Sequence, residues 1–235
     1  MIHHHLSDEM ILAYAAGSLP VGHALLVACH LEVCPHCAAR VAEAEAIGGA
    51  MLNQCEDMVV SDDLFDRMMA SIDEDESLQQ GSTFPEAPFN RPGMDLAQSA
   101  APPALGSSLM PTKLAAVIGD DIEAIRWRAV GPGIKQFVLP MQGSEGETVR
   151  LLKLSPGFIT PEHSHNGSEL TMVLKGSFSD ESGRYRVGDI QDADDSVHHQ
   201  PMADTEEECI CLTVTDAPLE FKGMITRLLQ PIIGI

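Results

Sequence analysis

The stretch HLEVCPHC, at residues 30–37, constrains the fold of the N-terminal part of this chain more than any other feature. His30 and Cys34 are four positions apart, so they share one face if this part is helical. Pro35 interrupts that helix and is a favoured first-turn residue of the next, which places Cys37 in a first turn. A helix N-terminus lowers the pKa of a thiol and so favours the thiolate that binds metal ions. The stretch therefore predicts one imidazole and two thiols at a junction between helices.

One nitrogen and two sulfur ligands suit a tetrahedral Zn²⁺ site, which requires a fourth ligand. His5, just ahead of the first predicted helix, is the preferred fourth ligand, and His3 and His4 remain alternatives. The competing interpretation is that the thiols are small buried residues and the histidine is a hydrogen-bonded core group. We favour zinc because the spacing is typical of zinc sites and because a small helical domain has little core. Structural zinc can contribute on the order of 10 kcal/mol to folding.

Four helices are predicted in the first part of the chain. Ser7 can cap a helix that begins with two acidic residues, which suit the positive end of the helix dipole. The second helix is predicted to begin near Pro20, and the third to run from Pro35 to the glycine pair at 48–49. A fourth helix is predicted after Ser61, with an apolar face within LFDRMMASI.

Beyond residue 110 the sequence changes to short apolar runs separated by Gly, Pro, Asn and Asp, which predict an antiparallel sandwich or small barrel. The runs are FVLP, TVRLLKL, LTMVLKG, SFSD and CICLTVT. Residues 73–110 are rich in Pro, Gly, Ser and Gln, a composition typical of a linker. We therefore predict an α + β protein of two domains, with a helical domain at 1–72, the linker at 73–110 and a β domain at 111–235.

The stretch PEHSHNGSEL contains a second candidate metal site. His163 and His165 are two positions apart, so on a strand they project to the same side. Glu169 follows a turn signal, and a further histidine comes from the pair at 198–199. This set of nitrogen and oxygen ligands suits Zn²⁺, Mn²⁺, Fe²⁺ or Ni²⁺. The alternative is a surface cluster of histidines that holds no metal.

Cys209 and Cys211 alternate along a predicted strand and would therefore lie on one face of it. Two neighbouring thiols near the second metal site would form a redox-responsive pair. The alternative is that both are ordinary core-facing residues of a strand.

The chain holds 35 acidic and 14 basic side chains, a formal net charge of −21. Phosphate groups would repel such a surface, so we expect no direct binding to nucleic acid. No apolar run approaches the roughly 20 residues that span a bilayer, and the start MIHHHLSDEM lacks the features of a signal peptide. We therefore expect a cytoplasmic protein without a membrane partner, in which the thiols stay reduced.

HLEVCPHC, together with a histidine just before SDEMILAYAAG, resembles the zinc-binding anti-sigma domain. The whole arrangement is similar to the ChrR group of anti-sigma factors, in which that domain precedes a cupin. The resemblance implies Zn²⁺ in the N-terminal domain and Zn²⁺ or another divalent metal in the cupin. The implied ligands are His5, His30, Cys34 and Cys37 in the first site, and His163, His165, Glu169 and His199 in the second.

The cupin-like half departs from common cupins in its second motif. The spacing of that motif, counted from Gly188, selects His199 over His198. Asp194 and Ser196 stand where proline and glycine are expected, and the usual trailing asparagine is absent. These differences remove no ligand, but they count against ordinary cupin enzyme chemistry.

The resemblance implies a zinc-dependent anti-sigma factor rather than an enzyme. Such a protein sequesters an extracytoplasmic-function sigma factor in a 1:1 complex, and helix four would complete the contact. The cupin would receive an oxidative signal, singlet oxygen or a related oxidant, and cause release of the sigma factor. The alternative is a metal-dependent cupin enzyme, a dioxygenase or isomerase, with an accessory helical zinc domain. A partner other than sigma is a third possibility.

Overall fold

The computed structural model describes residues 2–56, 61, 63–79, 109–141, 146–164, 167–217 and 220–221. The chain divides into two compact units, one of Met1–Ala46 with Ala100–Ile235 and the other of Ile47–Ser99. Most of the predicted linker lies outside the described residues, so the predicted domain boundaries stay predictions. The first unit joins the N-terminal helices to the β domain.

Five helices are present in the described residues. They are α1 (Asp8–Ala15), α2 (Val21–Leu31), α3 (Pro35–Leu52), α4 (Leu64–Gln79) and α5 (Thr112–Ile118). Ser7 caps α1 as predicted, because its side chain accepts a hydrogen bond from the backbone N–H of Met10 at 3.2 Å. The prediction that α3 ends at the glycine pair is wrong. Gly48 and Gly49 lie within the helix, since glycine weakens a helix without terminating it.

Every strand pairing in the described residues is antiparallel. The strands are β1 (Arg128–Gly131), β2 (Ile134–Val138), β3 (Thr148–Leu154), β4 (His163–Ser164), β5 (Glu169–Lys175), β6 (Ser177–Asp180), β7 (Gly183–Arg186), β8 (Ile190–Ala193), β9 (His198–His199), β10 (Met202–Ala203), β11 (Cys209–Thr215) and β12 (Glu220–Phe221). The largest sheet has the order β1-β2-β3-β11-β5-β8. Two smaller sheets have the orders β10-β6-β7 and β12-β4-β9. The predicted apolar runs at 148–154, 170–176 and 209–215 therefore fall on three adjacent strands of one sheet, β3, β5 and β11.

Helix α2 packs against β5 and β11, so the helices and the β domain of the first unit share one apolar core. The sides in contact hold fully buried residues: Leu26, Val27 and Cys29 on the helix, and Leu170, Met172, Leu212 and Val214 on the strands. Full burial of a side chain of this size stabilises the fold by roughly 1.5–3 kcal/mol. The apolar sequence of α2, VGHALLVACHL, follows from this position.

Carboxylates accept hydrogen bonds from the backbone N–H groups at the starts of two helices in the first unit. Glu147 accepts hydrogen bonds from the backbone N–H groups of Gly22 at 2.8 Å and His23 at 3.0 Å, and it lies 2.7 Å from His23 Nδ1. Glu32, just after α2, accepts hydrogen bonds from the first two N–H groups of α5 at 2.7 and 2.9 Å. Helix starts leave such groups without intrahelical partners, and their partial positive charge favours a carboxylate. Glu147, in the β domain, thus caps α2, and Glu32, just after α2, caps α5.

We predict that Gly22→Ala lowers the free energy of unfolding by roughly 1–3 kcal/mol, because small-to-large changes in tight packing are destabilising. A Cβ atom at this position would clash with Cγ2 of Val149. The matched control is Gly48→Ala in α3, where a Cβ atom meets nothing within 4 Å. The control should gain about 0.5–1 kcal/mol from helix propensity. Chemical unfolding measures both, and equal stability of the two variants would contradict the close approach of α2 to the sheet.

Candidate metal centres

The four predicted N-terminal ligands lie together at the junction of the first three helices. His5 comes from the segment before α1, His30 from the last turn of α2, and the two cysteines from the α2–α3 junction. One donor atom from each residue lies within 4.8 Å of all the others. The Nδ1 atom of His5 is 3.2 Å from Sγ of Cys34 and 3.7 Å from Sγ of Cys37. The Nε2 atom of His30 is 3.3 Å from Sγ of Cys37.

These spacings fit the donors of one tetrahedral metal ion. Zinc bonds of about 2.0–2.1 Å to imidazole and 2.3 Å to thiolate place two donors of the same ion roughly 3.3–3.8 Å apart. The alternative ligands His3 and His4 lie outside the donor cluster, and the ring of His4 instead faces Asp189, with Nδ1 at 3.5 Å from the carboxylate. The ring of His36 is 4.7 Å from that of His5, but it also lies outside the cluster. The N-terminal set can therefore hold a metal ion.

Burial controls the protonation of these ligands. Burial lowers the pKa of His30 to about 4, so its ring is neutral at pH 7, as a metal ligand must be. Burial also raises the pKa of the Cys37 thiol to about 11. Desolvation outweighs the hydrogen bond from the backbone of Leu6, which acts in the opposite direction. The expected effect of the helix N-terminus on this thiol stays a prediction. Metal binding at Cys37 therefore displaces a proton.

The β domain fixes the orientation of one of these ligands. The ring of His30 donates a hydrogen bond from Nδ1 to the backbone carbonyl of Gly188 at 3.0 Å. A carbonyl oxygen only accepts, so the proton of the neutral ring is on Nδ1. The lone pair of Nε2, which lies 3.3 Å from Sγ of Cys37, can then bind a metal ion. Gly188 follows β7 and lies 158 residues from His30, so no local sequence signal indicates this contact.

Two members of the second predicted set, His163 and His199, lie on the facing strands β4 and β9, and Glu169 is the first residue of β5. His163 pairs with His199 in the strand register, and their Nε2 atoms are 3.1 Å apart. His198 is exposed and pairs with Ser164 instead, in agreement with the choice of His199. His165 lies outside the described residues. In the described part of the chain, the N-terminal set alone brings three or more potential ligands within 4.8 Å, so the ligand assignment of the second set stays a prediction.

The hydrogen bonds at Nδ1 of the two facing histidines leave their Nε2 atoms facing each other. Nδ1 of His163 donates to the carbonyl of Pro161 at 2.9 Å, and Nδ1 of His199 lies 2.8 Å from the carboxylate of Asp180. Burial opposes ionisation of Asp180, but hydrogen bonds from Ser182, His199 and Gln191 hold its pKa below the ordinary value. A histidine that binds a metal ion commonly donates its other ring N–H to a carboxylate or a backbone carbonyl, so this arrangement suits a shared metal ion.

Glu169 and His163 line a cavity of about 470 Å³ in the β domain. Apolar side chains form most of its wall, among them Ile134, Leu152, Leu154, Phe158, Ile159 and Phe178. Burial raises the pKa of Glu169 to about 7, although the nearby Arg150 acts in the opposite direction. Burial also lowers the pKa of His163 to about 4. The cavity therefore combines an apolar wall with a small group of titratable residues, as ligand sites commonly do.

The two cysteines of β11 lie side by side, as their spacing predicts. Their sulfur atoms are 3.6 Å apart, both residues are buried, and Cys211 lines the cavity. The hydrogen bond from Cys209 and the burial of the site raise the pKa of Cys211 well above its ordinary value. At neutral pH this thiol is therefore protonated. A redox role for the pair stays a prediction.

Sequence reasoning missed the residues that support the candidate ligands. Asp180, Arg150 and Gly188 each contact or act on a ligand from a distant part of the chain. Only Gly188 carried a local signal, as a turn glycine before β8. Spacing along the chain indicates ligands, but it does not indicate which residues of another strand will orient them.

Comparison with known proteins identifies the family. The ChrR cupin-like domain matches residues 116–218. The anti-sigma-E factor ChrR of Cereibacter sphaeroides is 36% identical over 234 residues, which cover 100% of this chain and 99% of that protein. The chain belongs to the ChrR family of anti-sigma factors. A crystal structure of Rhodobacter sphaeroides SigE in complex with the anti-sigma ChrR has 34% identity and a TM-score of 0.68, and the match covers 92% of this chain and 100% of that one.

Several expectations from the sequence are thereby confirmed. The fold is a helical N-terminal region followed by a cupin-like antiparallel domain. The full-length similarity to an anti-sigma factor supports a regulator rather than the alternative cupin enzyme. Within the described residues, we find no helix with both the length and the apolar character needed to cross a membrane.

We predict that Cys34→Ala and Cys37→Ala each remove about one equivalent of bound metal from the full chain, because either change leaves a four-ligand site with three ligands. Cys29→Ala is the matched control, since Cys29 is buried in α2 but lies outside the donor cluster. Elemental analysis after gel filtration under reducing conditions measures the metal content of each variant. Loss of the same amount in the control would show that folding, rather than ligation, governs the metal.

Proposed function

We propose that this protein is a zinc-dependent anti-sigma factor of the cytoplasm. It sequesters an extracytoplasmic-function sigma factor in a 1:1 complex and thereby represses transcription. The observation that carries the proposal is the end-to-end similarity to ChrR, a protein crystallised in complex with SigE. His5, His30, Cys34 and Cys37 would hold the zinc ion, which would act as a cross-link between the segment before α1 and the α2–α3 junction.

Helix α4 provides an apolar surface suited to a protein partner. Its exposed residues Phe65, Met68, Met69 and Ile72 follow the i, i+3, i+4, i+7 spacing of one helix face. Amphipathic helices bind hydrophobic grooves of partners through anchors at this spacing. The methionines favour such a role because their flexible side chains adapt to irregular surfaces. We assign this face to the contact with the sigma factor.

The net charge of −21 supports the same partner. Sigma factors bind DNA and are therefore expected to carry basic surfaces. Opposite charges increase the rate of association between two proteins and fix their orientation. The proposal needs no direct contact between this chain and nucleic acid.

We predict that Met68→Asp weakens binding of the sigma factor at least about ten-fold, because it places a charge at the centre of the apolar face. Ala70→Asp is the matched control, because it adds the same charge on the other side of α4. Co-expression with a sigma factor encoded beside this gene, followed by gel filtration and titration, provides the measurement. Equal binding by the two variants would remove α4 from the interface, and absence of any complex with the wild-type chain would contradict the proposed function.

The cupin domain is proposed to receive the signal, singlet oxygen or a related oxidant. The support lies in its cavity, where His163, Glu169 and Cys211 meet an apolar wall. A divalent metal held by His163, His165, Glu169 and His199 would supply an oxidant-sensitive centre. Oxidation there would weaken the hold of the helical region on the sigma factor.

We predict that His163→Ala and Glu169→Ala retain sigma inhibition in the dark but lose most of the increase in transcription under a photosensitiser and light. Both residues lie in the cupin and outside the N-terminal donor cluster. His198→Ala, at an exposed position beside His199, is the control and should respond like the wild type. A sigma-dependent reporter measures the response, and normal induction in both cavity variants would exclude this metal set as the sensor.

A further inference from the structure

One turn of the cupin domain contacts two parts of the N-terminal site, the ligand His30 and the segment that precedes His5. This turn, residues 186–190, joins β7 to β8. The carbonyl of Gly188 accepts a hydrogen bond from His30 Nδ1 at 3.0 Å. The next residue, Asp189, accepts hydrogen bonds from the backbone N–H groups of His3 at 2.6 Å and His4 at 3.1 Å. The same turn thus touches a ligand in α2 and the segment that carries His5.

Asp189 is fully buried and has a partner on each oxygen. One oxygen binds the N–H groups of His3 and His4, while the other accepts a hydrogen bond from the N–H of Arg186 at 2.9 Å. The backbone N–H of Ile190 also donates to the carbonyl of His4 at 3.2 Å. The segment before α1 is therefore attached to the turn through both N–H and C=O groups.

His5 depends on this attachment more than the other ligands do. His30 and Cys37 lie within helices and are buried, and Cys34 is buried at the junction between them. His5 is exposed and precedes α1, so no helical hydrogen bond holds its backbone in place. The anchors on either side of it are His4, bound to the turn, and Leu6, which is buried.

We propose that Asp189 is a positioning residue for the N-terminal zinc site, and that strand β8 connects this site to the metal set of the cupin. The inference rests on the proposed zinc site. Groups that orient metal ligands typically change metal affinity 10–100-fold when they are removed. Asp189 fits this role although it belongs to the other domain.

The connection to the cupin set runs through the strand that begins after Asp189. Gln191, two residues along, donates a hydrogen bond from its side chain to Asp180 at 2.6 Å. Asp180 in turn binds Nδ1 of His199 at 2.8 Å. Strand β8 also pairs with β5, where Ala193 lies opposite Glu169. A change in the position of His199 or Glu169 can therefore displace the turn through these contacts, and residues 73–110 need not take part.

The test is the rate at which N-ethylmaleimide alkylates Cys34 and Cys37 in the full chain in the presence of EDTA, resolved by mass spectrometry of peptides. Zinc bound to these sulfur atoms protects them from the reagent, and loss of zinc removes this protection. We expect Asp189→Ala to increase the rate roughly 10–100-fold. Asp189→Asn should be intermediate, because its amide oxygen can still accept from the N–H groups of His3 and His4. Asp204→Ala, in the cupin but away from the turn, should match the wild type.

The same digest contains internal references. Cys55 is exposed and should react at one rate in every variant, whereas the buried pair Cys209 and Cys211 should stay protected. An unchanged rate at Cys34 and Cys37 in Asp189→Ala would overturn the positioning role. An equal increase in the alkylation rate of Cys209 and Cys211 would also overturn the positioning role, because that result indicates general unfolding. A wild-type chain that holds no N-terminal zinc would overturn the zinc proposal and this inference together, which distinguishes that failure from the other two.

The connection through β8 has its own measurement. His199→Ala should increase the alkylation rate of Cys34 and Cys37 several-fold, while His198→Ala should not. Because coupling between two sites is reciprocal, Cys34→Ala, which removes a ligand of the N-terminal site alone, should also increase hydrogen exchange at residues 191–193 of β8 but not within β3. If His199→Ala and Cys34→Ala both leave these readouts unchanged, the connection is excluded while the positioning role of Asp189 stands.

Discussion

The packing of α2 against the large sheet is the contact on which the rest of the first unit depends. This single helix buries apolar side chains against β5 and β11 and also carries the candidate ligand His30. Because the core is continuous, a metal site built on α2 has a fixed place relative to the cupin strands. An N-terminal domain connected only by a linker would lack that constraint. Close packing transmits small displacements, since interiors have few voids in which a shift can be absorbed.

The excess of acidic residues is reflected in the hydrogen bonds that join the N-terminal helices to the β domain. With 35 acidic and 14 basic side chains, most carboxylates cannot pair with a cation. Glu147, Glu32 and Asp189 instead accept hydrogen bonds from backbone N–H groups, two of these sets at helix starts. Such bonds satisfy donors that a helix start leaves unpaired, and they are stronger for a charged acceptor. The protein thus uses its excess of negative charge to connect its helical and β elements.

The sequence predicted the features that depend on near neighbours and missed those that depend on distant ones. Ser7, Pro35 and the strand at 209–215 were predicted because capping, proline geometry and alternation are local properties. His5 was the preferred one of three candidate ligands, and the donor cluster includes it but neither His3 nor His4. The burial that raises the pKa of Cys37 was not predicted, because it comes from packing that spacing does not reveal. Helix α5 was missed because its first N–H groups are capped by Glu32, 80 residues earlier.

Direct contact between the cupin and the N-terminal ligands changes how release of a partner can be controlled. Structural zinc contributes on the order of 10 kcal/mol to folding, whereas removal of a supporting hydrogen bond changes metal affinity 10–100-fold, or about 1.4–2.7 kcal/mol. A signal acting through the β7–β8 turn would therefore loosen His5 without unfolding α2, which the shared core continues to hold. Local opening of this kind costs less than global unfolding and is readily reversible. His5, the exposed candidate ligand in the segment before α1, would then be the point at which a cupin signal has the greatest effect for the smallest structural change.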